Sequence, residues 1–510
     1  MERFLQQYQP QITGVLSGPD RLLFRGVLRS ISYVQGLEIF LASIRVLHRD
    51  FVAYAQRVSQ SINEHAEGLA HKTGRPYVYV ASSRASKEEI ARQIALRDQI
   101  EEGLVCVLAC VEPCRSVTVH RNRRQKRLDL VYQERRCRHV YFYYLDREFG
   151  WLHVRLQTWF PFAIQVCVNG REWLGQKMRR AGMSFQQQDN CFTQIADPGK
   201  AQRWMDQFLT RRWAGWLERW ARRAMPWLAS ADGSKLRGYY WTVRQAEFAT
   251  DVMFQDTESL DRVYPTLVRH AIEHFRSEHV LRFLGRRYVV RGECKTRMEK
   301  RHEGVCVKHF LQENWIKMYN KQGSVLRIET TINNPKRFKV WRDVTRQGKA
   351  VRTWAVLRKG IADFRRRIQI CQAANRRYLL ALSFAVLTQA AHQTLDPVSQ
   401  PCIRQGQRYR ALRPISPEDS QKLVLLQDGR FAIDGVRNRD LQPHWTDLVA
   451  NDPDRKRTAG RITRWLRLLT AHGVLSKVQH THCYRLTLQG HAVITCALRV
   501  RNANVQKLAA

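Results

Sequence analysis

Two segments of this 510-residue chain carry residues whose types and spacing suit chemistry on a phosphodiester. In WIKMYNKQGSVLRIETTIN the apolar Ile316 and Met318 alternate with Lys317 and Tyr319, and Leu326 and Ile328 alternate with Arg327 and Glu329. A period of two predicts a pair of short strands, turned over residues 320–324, with the reactive side chains on one face. A tyrosine beside cations can attack phosphorus as a phenolate, and a glutamate one strand away can hold a divalent metal. The plainer alternative is an ordinary hairpin whose Tyr and Lys face solvent. Upstream, WTVRQAEFATDVMF reads as a strand on which Glu247, Ala249 and Asp251 share a face, so that two carboxylates point to one side. Carboxylates gathered from neighbouring strands suit Mg2+ or Mn2+. The competing expectation is that one of them pairs with Arg244 or another nearby base.

Together the two segments resemble the rolling-circle replication initiators of the Rep_trans type and, more distantly, the nicking proteins of filamentous phages, over about residues 238 to 345. Those families carry an early strand with an arginine, an acid and a following aspartate, matched here by Arg244, Glu247 and Asp251. They also carry a later segment like IRIYNK followed by RFE or RIE, matched by Lys317, Tyr319, Lys321, Arg327 and Glu329. The resemblance implies that Tyr319 is the nicking nucleophile and that Glu247, Asp251 and Glu329 hold Mg2+ or Mn2+. Lys317, Lys321 and Arg327 would then lower the phenol pKa or stabilise charge on the phosphoryl oxygens.

Composition points to the same partner class. The chain has 86 Lys and Arg against 45 Asp and Glu, a formal charge of +41, which a polyanion explains most simply. Arginine richness also follows from genomic base composition, so charge fixes only the class of partner. If about 6 to 10 cations neutralise phosphates, affinity falls about 10³- to 10⁵-fold between about 50 and 200 mM salt. The basic connection HRNRRQKRLDLVYQERRCRH offers Arg121, Arg123, Arg124, Lys126 and Arg127 as phosphate contacts, with a solvated hairpin tip as the alternative.

Near the C-terminus, KRTAGRITRWLRLLTAHGVLSKV sets Ile462, Trp465, Leu466 and Leu469 at helical spacing before Gly473, a residue suited to a helix C-cap. This helix, the strand after it, and CYRLTLQGHAVI resemble a winged helix-turn-helix domain. The opposite helix face carries Lys456, Arg457, Arg461 and Arg464, placed for a major groove or for phosphates. Winged helices also dock proteins. Trp213, Trp216 and Trp220, interleaved with arginines, suit base stacking, although that spacing more often marks a core-facing helix. The cysteines Cys106, Cys110, Cys114 and Cys137 lack a CxxC pair and read as structural thiols rather than a zinc site.

The elements that must position these groups suggest an α+β multidomain chain. Its expected parts are a mixed basic module over 1–230, a replication-initiator-like mixed β-sheet domain over 238–345, a helical connector over 346–405, and a winged helix over 410–510. No internal repeat is apparent. Familiar ATPase, zinc-protease and serine-hydrolase motifs are absent from the sequence. No signal-like segment opens the chain, and its longest apolar run is too short to span a bilayer, so a cytoplasmic protein without a membrane partner is expected. The functional expectation is DNA nicking and strand transfer of the rolling-circle or mobile-element type, with a homodimer as one arrangement. The alternatives are a noncatalytic DNA-binding regulator and an RNA-binding protein.

Overall fold

The computed structural model describes residues 1–275, 277–285, 294–302, 304–346, 349–383, 390–426, 431, 435–445 and 455–502. It is a mixed α+β architecture built on one large sheet. The strands needed here are β1 (Ile12–Val27), β2 (Tyr77–Tyr79), β3 (Gly103–Asn122), β4 (Arg127–Asp146), β5 (Gly150–Gln157), β6 (Ile164–Asn169), β7 (Phe185–Gln188), β8 (Cys191–Ile195), β9 (Tyr240–Phe254), β10 (Cys294–Arg301), β11 (Gly304–Leu311), β12 (Asn314–Lys321), β13 (Val325–Ile332), β14 (Lys339–Arg346) and β15 (Lys349–Val356). Eleven of them form the sheet β10-β11-β12-β13-β9-β1-β6-β5-β4-β3-β2, antiparallel throughout except for β2 on β3. The smaller hairpins β7–β8 and β14–β15 stand outside it.

This order contains a repeat that the sequence hides. In each half a long strand leads into helices and then into a four-stranded meander whose last strand returns beside the first. The first half runs β1-β6-β5-β4-β3 outward from the centre, and the second runs β9-β13-β12-β11-β10. The long strands β1 and β9 pair antiparallel from Ile12↔Phe254 to Val27↔Tyr240, so the halves are related by an approximate two-fold axis at the middle of the sheet. Side chains have diverged while alternation and topology persist. The division expected between 1–230 and 238–345 therefore falls inside one continuous sheet, with an apolar core shared by both that runs from Phe4 to Leu382. The expected helical connector begins with β15 and only then becomes helical, at Phe364–Leu382.

Helices cover the back of the sheet. Helix Phe364–Leu382 lies behind β9 and β13, where the buried Asn375 donates from Nδ2 to the carbonyls of Phe248 (3.1 Å) and Ile328 (3.0 Å) and accepts from the Thr330 hydroxyl (2.6 Å). One amide side chain thus ties both central strands to the helix. The Trp213, Trp216 and Trp220 stripe is core, as its spacing most often signals: Trp213 packs edge-on against Phe208 at 5.0 Å, and Trp220 lies 4.9 Å from Tyr144. Cys106 and Cys110 are buried on β3 beneath helix Lys87–Arg97 and act as packing thiols. No helix among the described residues is long and apolar enough to cross a membrane.

Three histidines are buried in this core. Burial pushes the His139 and His309 imidazoles down to about 4 and that of His153 to about 3. His309 is held between the Thr296 hydroxyl (2.9 Å) and the Tyr378 hydroxyl (3.1 Å). Folded rings stay neutral where an unfolded chain takes up protons below about pH 6.5. Their stabilising contribution is complete above that pH and is lost as pH falls toward 4. Thermal unfolding from pH 7 to 4 is expected to show a falling Tm, and His309→Gln should flatten the slope by up to ~3 kcal/mol over that range.

The C-terminal unit has its own core around Leu441, Ile462, Leu466, Val474 and Val493. Helices Pro417–Leu426, Asn438–Trp445 and Arg455–Ala471 precede a short hairpin of Leu475–Lys477 and Tyr484–Leu486, and helix Leu488–Asn502 follows. Val436 bridges to Tyr484 and so adds a third extended segment to the hairpin. Gly473 ends the third helix with φ +70°, the left-handed conformation that favours glycine.

Candidate active site

The register of β12, β13 and β9 puts the chemistry on one face. Lys317 pairs with Glu329 and Tyr319 with Arg327, while Arg327 pairs with Asp251 and Glu329 with Ala249. The tight turn after Lys321 holds Gln322 (φ +57°) and Gly323 (φ +77°) in the left-handed region, which matches the twist of a two-strand hairpin. Lys317, Tyr319, Arg327, Glu329, Glu247 and Asp251 all face the side opposite helix Phe364–Leu382, as period two predicts.

Depth divides them into two layers. In the inner layer Arg327 is fully buried and donates Nε and an NH2 to the two Asp251 oxygens, at 2.6 and 3.0 Å. It also reaches Asp20 Oδ2 at 3.0 Å and the Asn190 carbonyl at 2.9 Å, and it interacts with the Tyr319 hydroxyl. Arg171, at the start of helix Gly170–Arg180, adds a second buried cation 3.0 Å from Asp251. Burial alone would raise the Asp251 carboxyl, but Arg171 and Arg327 together hold it below the usual carboxylate range. Asp251 is therefore the anion of a buried charge cluster, and its expected role as a metal ligand is corrected. Arg327 is likewise saturated by carboxylates, which leaves it a positioning role rather than contact with a phosphate.

The outer layer holds Glu247, Glu329, Tyr319 and Lys317. Ligand oxygens of Asp20, Glu247 and Glu329 lie within 4.8 Å of one another, the one such group of acids among the described residues. The Tyr319 hydroxyl donates to Glu329 Oε2 at 2.9 Å, and Lys317 Nζ lies 2.7 Å from Glu329 Oε1. Burial, with Glu329 and Asp20 close by, lifts the Glu247 carboxyl to about 7, while Lys317 and Gln245 oppose the rise. Crowded carboxylates of this kind suit a hard divalent cation, which relieves their repulsion and prefers oxygen donors. Glu247 and Glu329 would hold such an ion directly. Asp20 forms the third corner, with its oxygens also bonded to Asn169 (2.8 Å), Asn190 (2.6 Å) and Arg327.

Tyr319 is 7% exposed, and its phenol pKa is raised well above the ordinary value, first by burial and then by Glu329. Of the three cations expected to lower it, Arg327 does pull it down, but burial and Glu329 outweigh that pull. Lys317 spends its charge on Glu329, Lys321 pairs with Asp189 at 3.0 Å, and Arg327 is bound to two aspartates. A nucleophilic phenol here needs a base, and Glu329 is already placed to take its proton.

Asp20, Arg171 and Asn190 were not legible as site residues. Asp20 follows Pro19 at the irregularity where β1 slips register against β9, between Pro19 and Leu22. A proline inside a strand is the one local sign of that irregularity. The hairpin β7–β8 brings in Asn190 and Asp189 between its strands.

The surroundings differ between the halves. Over the first half, helix Lys87–Arg97 covers the front face, and Glu112 there is bound by Lys87 (3.0 Å), Arg155 (2.7 Å) and Tyr141 (2.7 Å). Over the second half the outer strands of the front face are partly exposed, while Tyr319, Arg327 and Glu329 nearer the centre are buried. Lys308, Phe310, Trp315 and Lys317 are half-buried there, with Lys308 Nζ 4.1 Å above Trp315 and Arg301 5.0 Å above the Tyr319 ring. A track of cations and aromatic rings thus leads from the sheet edge to Tyr319.

The expected nucleic-acid contacts sit elsewhere. Strand β5 pairs with β4 only from His139 to Asp146, and beyond it β3 and β4 continue as a two-stranded arm. At the tip of that arm Arg121, Arg123, Arg124, Lys126 and Arg127 are exposed. On helix Arg455–Ala471, Arg457, Arg461 and Arg464 are exposed opposite the buried Ile462 and Trp465. The Lys456 side chain lies outside the described residues. Compared with protein-family models, curated proteins and solved structures, the chain matches none.

Proposed function

We propose that this protein nicks a DNA strand with Tyr319 as nucleophile and a divalent metal at Glu247, Glu329 and Asp20. The observation that carries the reading is the Tyr319 hydroxyl bonded to one carboxylate of a three-acid cluster, at the end of a partly exposed track of cations and aromatic rings. Tyr319 Oη would form a bond to phosphorus as its proton passes to Glu329, and the P–O bond to one sugar would break, its oxygen taking up a proton from solvent water. The metal, when bound, supplies charge stabilisation at the phosphoryl oxygens. Lys317 orients Glu329, and the Arg327–Asp251–Arg171 cluster fixes the strands beneath. The phosphotyrosine linkage conserves the bond energy, so rejoining or transfer needs no nucleotide. The basic arm and a C-terminal unit read as a winged helix would hold the DNA.

Incubation with supercoiled and single-stranded hairpin DNA plus Mn2+, resolved on denaturing gels, tests this. Metal-dependent nicks are expected, with at least about a 10²-fold loss in Glu329→Gln, which removes both base and ligand. Tight, salt-sensitive binding without nicks on either substrate would favour the noncatalytic regulator instead.

A further inference from the structure

The hairpin β14–β15 has a solvent face that the nicking chemistry does not use. Trp341 and Trp354 are directly paired across it, their rings 5.5 Å apart and inclined at 60°, and they remain 44% and 61% exposed. Lys339, Asp343, Thr345, Ala350, Arg352 and Val356 share that face and are exposed as well. The other face anchors the ribbon. Val340 is buried, and Arg342 reaches both Asp363 oxygens at 2.9 and 2.7 Å. Both feet of the hairpin stand on the strands that carry the acids. Its first strand follows Pro335–Arg337 after β13, and its second leads to Lys359, whose carbonyl accepts from Val243 N of β9 at 2.8 Å.

We infer that this ribbon binds single-stranded nucleic acid, with unpaired bases stacking on Trp341 and Trp354. A cross-strand aromatic pair also stabilises a hairpin, but the anchoring face already fixes this one, and about half of each tryptophan stays in water. Charge complementarity names the occupant: residues 336–359 hold nine Lys and Arg against the single acid Asp343. Exposed tryptophans on a cationic ribbon give stacking planes for bases and countercharge for the phosphates. The inference deepens the nicking proposal by stating that the strand is presented unpaired, and it rests on the nucleic-acid part of that reading.

Anisotropy of labelled oligo(dT) of about 20 nucleotides and of a duplex of the same length, with the full chain, tests it. The double variant Trp341→Ala/Trp354→Ala should lose about 10- to 100-fold in single-strand affinity with duplex affinity unchanged, and Trp341→Phe/Trp354→Phe should recover most of the loss. Unchanged single-strand binding in the alanine variant, or equal losses on both probes, would overturn the inference. So would a shift from dimer to monomer with affinity intact, which would make the pair a contact between copies. Single-strand binding that depends on the tryptophans without any nicking would leave this inference standing and sink the proposed chemistry.

Discussion

Tyr319→Phe is expected to abolish the covalent adduct and to cut metal-dependent nicking by ~10³-fold or more, while leaving DNA and Mn2+ binding close to wild type. The substitution removes a single oxygen. Phe keeps the ring that packs beside Arg301 and Lys317, whose charges lie 5.0 and 5.1 Å from its centre. Glu329 loses the donor at 2.9 Å but retains Lys317, so stability should fall by only ~1 kcal/mol. Loss of activity with the melting temperature nearly unchanged therefore isolates the hydroxyl. An adduct that persists in the variant, detected by labelled DNA migrating with the protein on a denaturing gel, would assign the nucleophile elsewhere.

The largest stability effect is expected at Arg327. Replacing it with Met leaves Asp251 and Asp20, both buried, without the guanidinium that bonds them at 2.6 to 3.0 Å. Breaking a buried pair by removing one partner costs ~3–5 kcal/mol, because solvent cannot replace the lost countercharge, and here Asp251 keeps only Arg171 and Asp20 only the amides of Asn169 and Asn190. Arg327→Lys should recover only part of this, since an ammonium cannot span Asp251 bidentately and still reach Asp20. Urea unfolding at pH 7 measures both. The gap should narrow at strongly acid pH. Asp251 is held below the usual range, so the stability it contributes is present above about pH 4 and lost as pH falls through its folded pKa. A midpoint for Arg327→Met within error of wild type would show that the cluster does not hold the strands together.

What the sequence made legible was local. Alternation over residues 315–332 was enough to place Lys317, Tyr319, Arg327 and Glu329 on one face, because side chains in a strand alternate whatever the rest of the fold does. Gly473 and the Trp213 stripe were readable from helical spacing, which is equally local. The third corner of the acid cluster was not. Asp20 reaches Glu247 only because β1 pairs with β9, and no pattern within either strand specifies that partner. Asp251 misled for a related reason. Its spacing from Glu247 predicts a shared face correctly, but spacing says nothing of depth, and two arginines from other elements claim it. The Trp341–Trp354 pair also depends on hairpin register rather than on any helical or strand period.

The seam between β1 and β9 has a consequence for stoichiometry. The two halves meet as the subunits of a symmetric dimer meet, across one self-complementary strand edge, but here they are covalently joined and free to differ. A symmetric pair would carry two equivalent centres. In this chain the front positions of β6 and β5 hold Gln165, Cys167, His153 and Arg155 where a second centre would need carboxylates, while Asp20 leans across the seam to complete the first. Under the proposed chemistry, one chain would form one adduct. Any reaction that must hold two strand ends at once requires a second molecule or a second turnover.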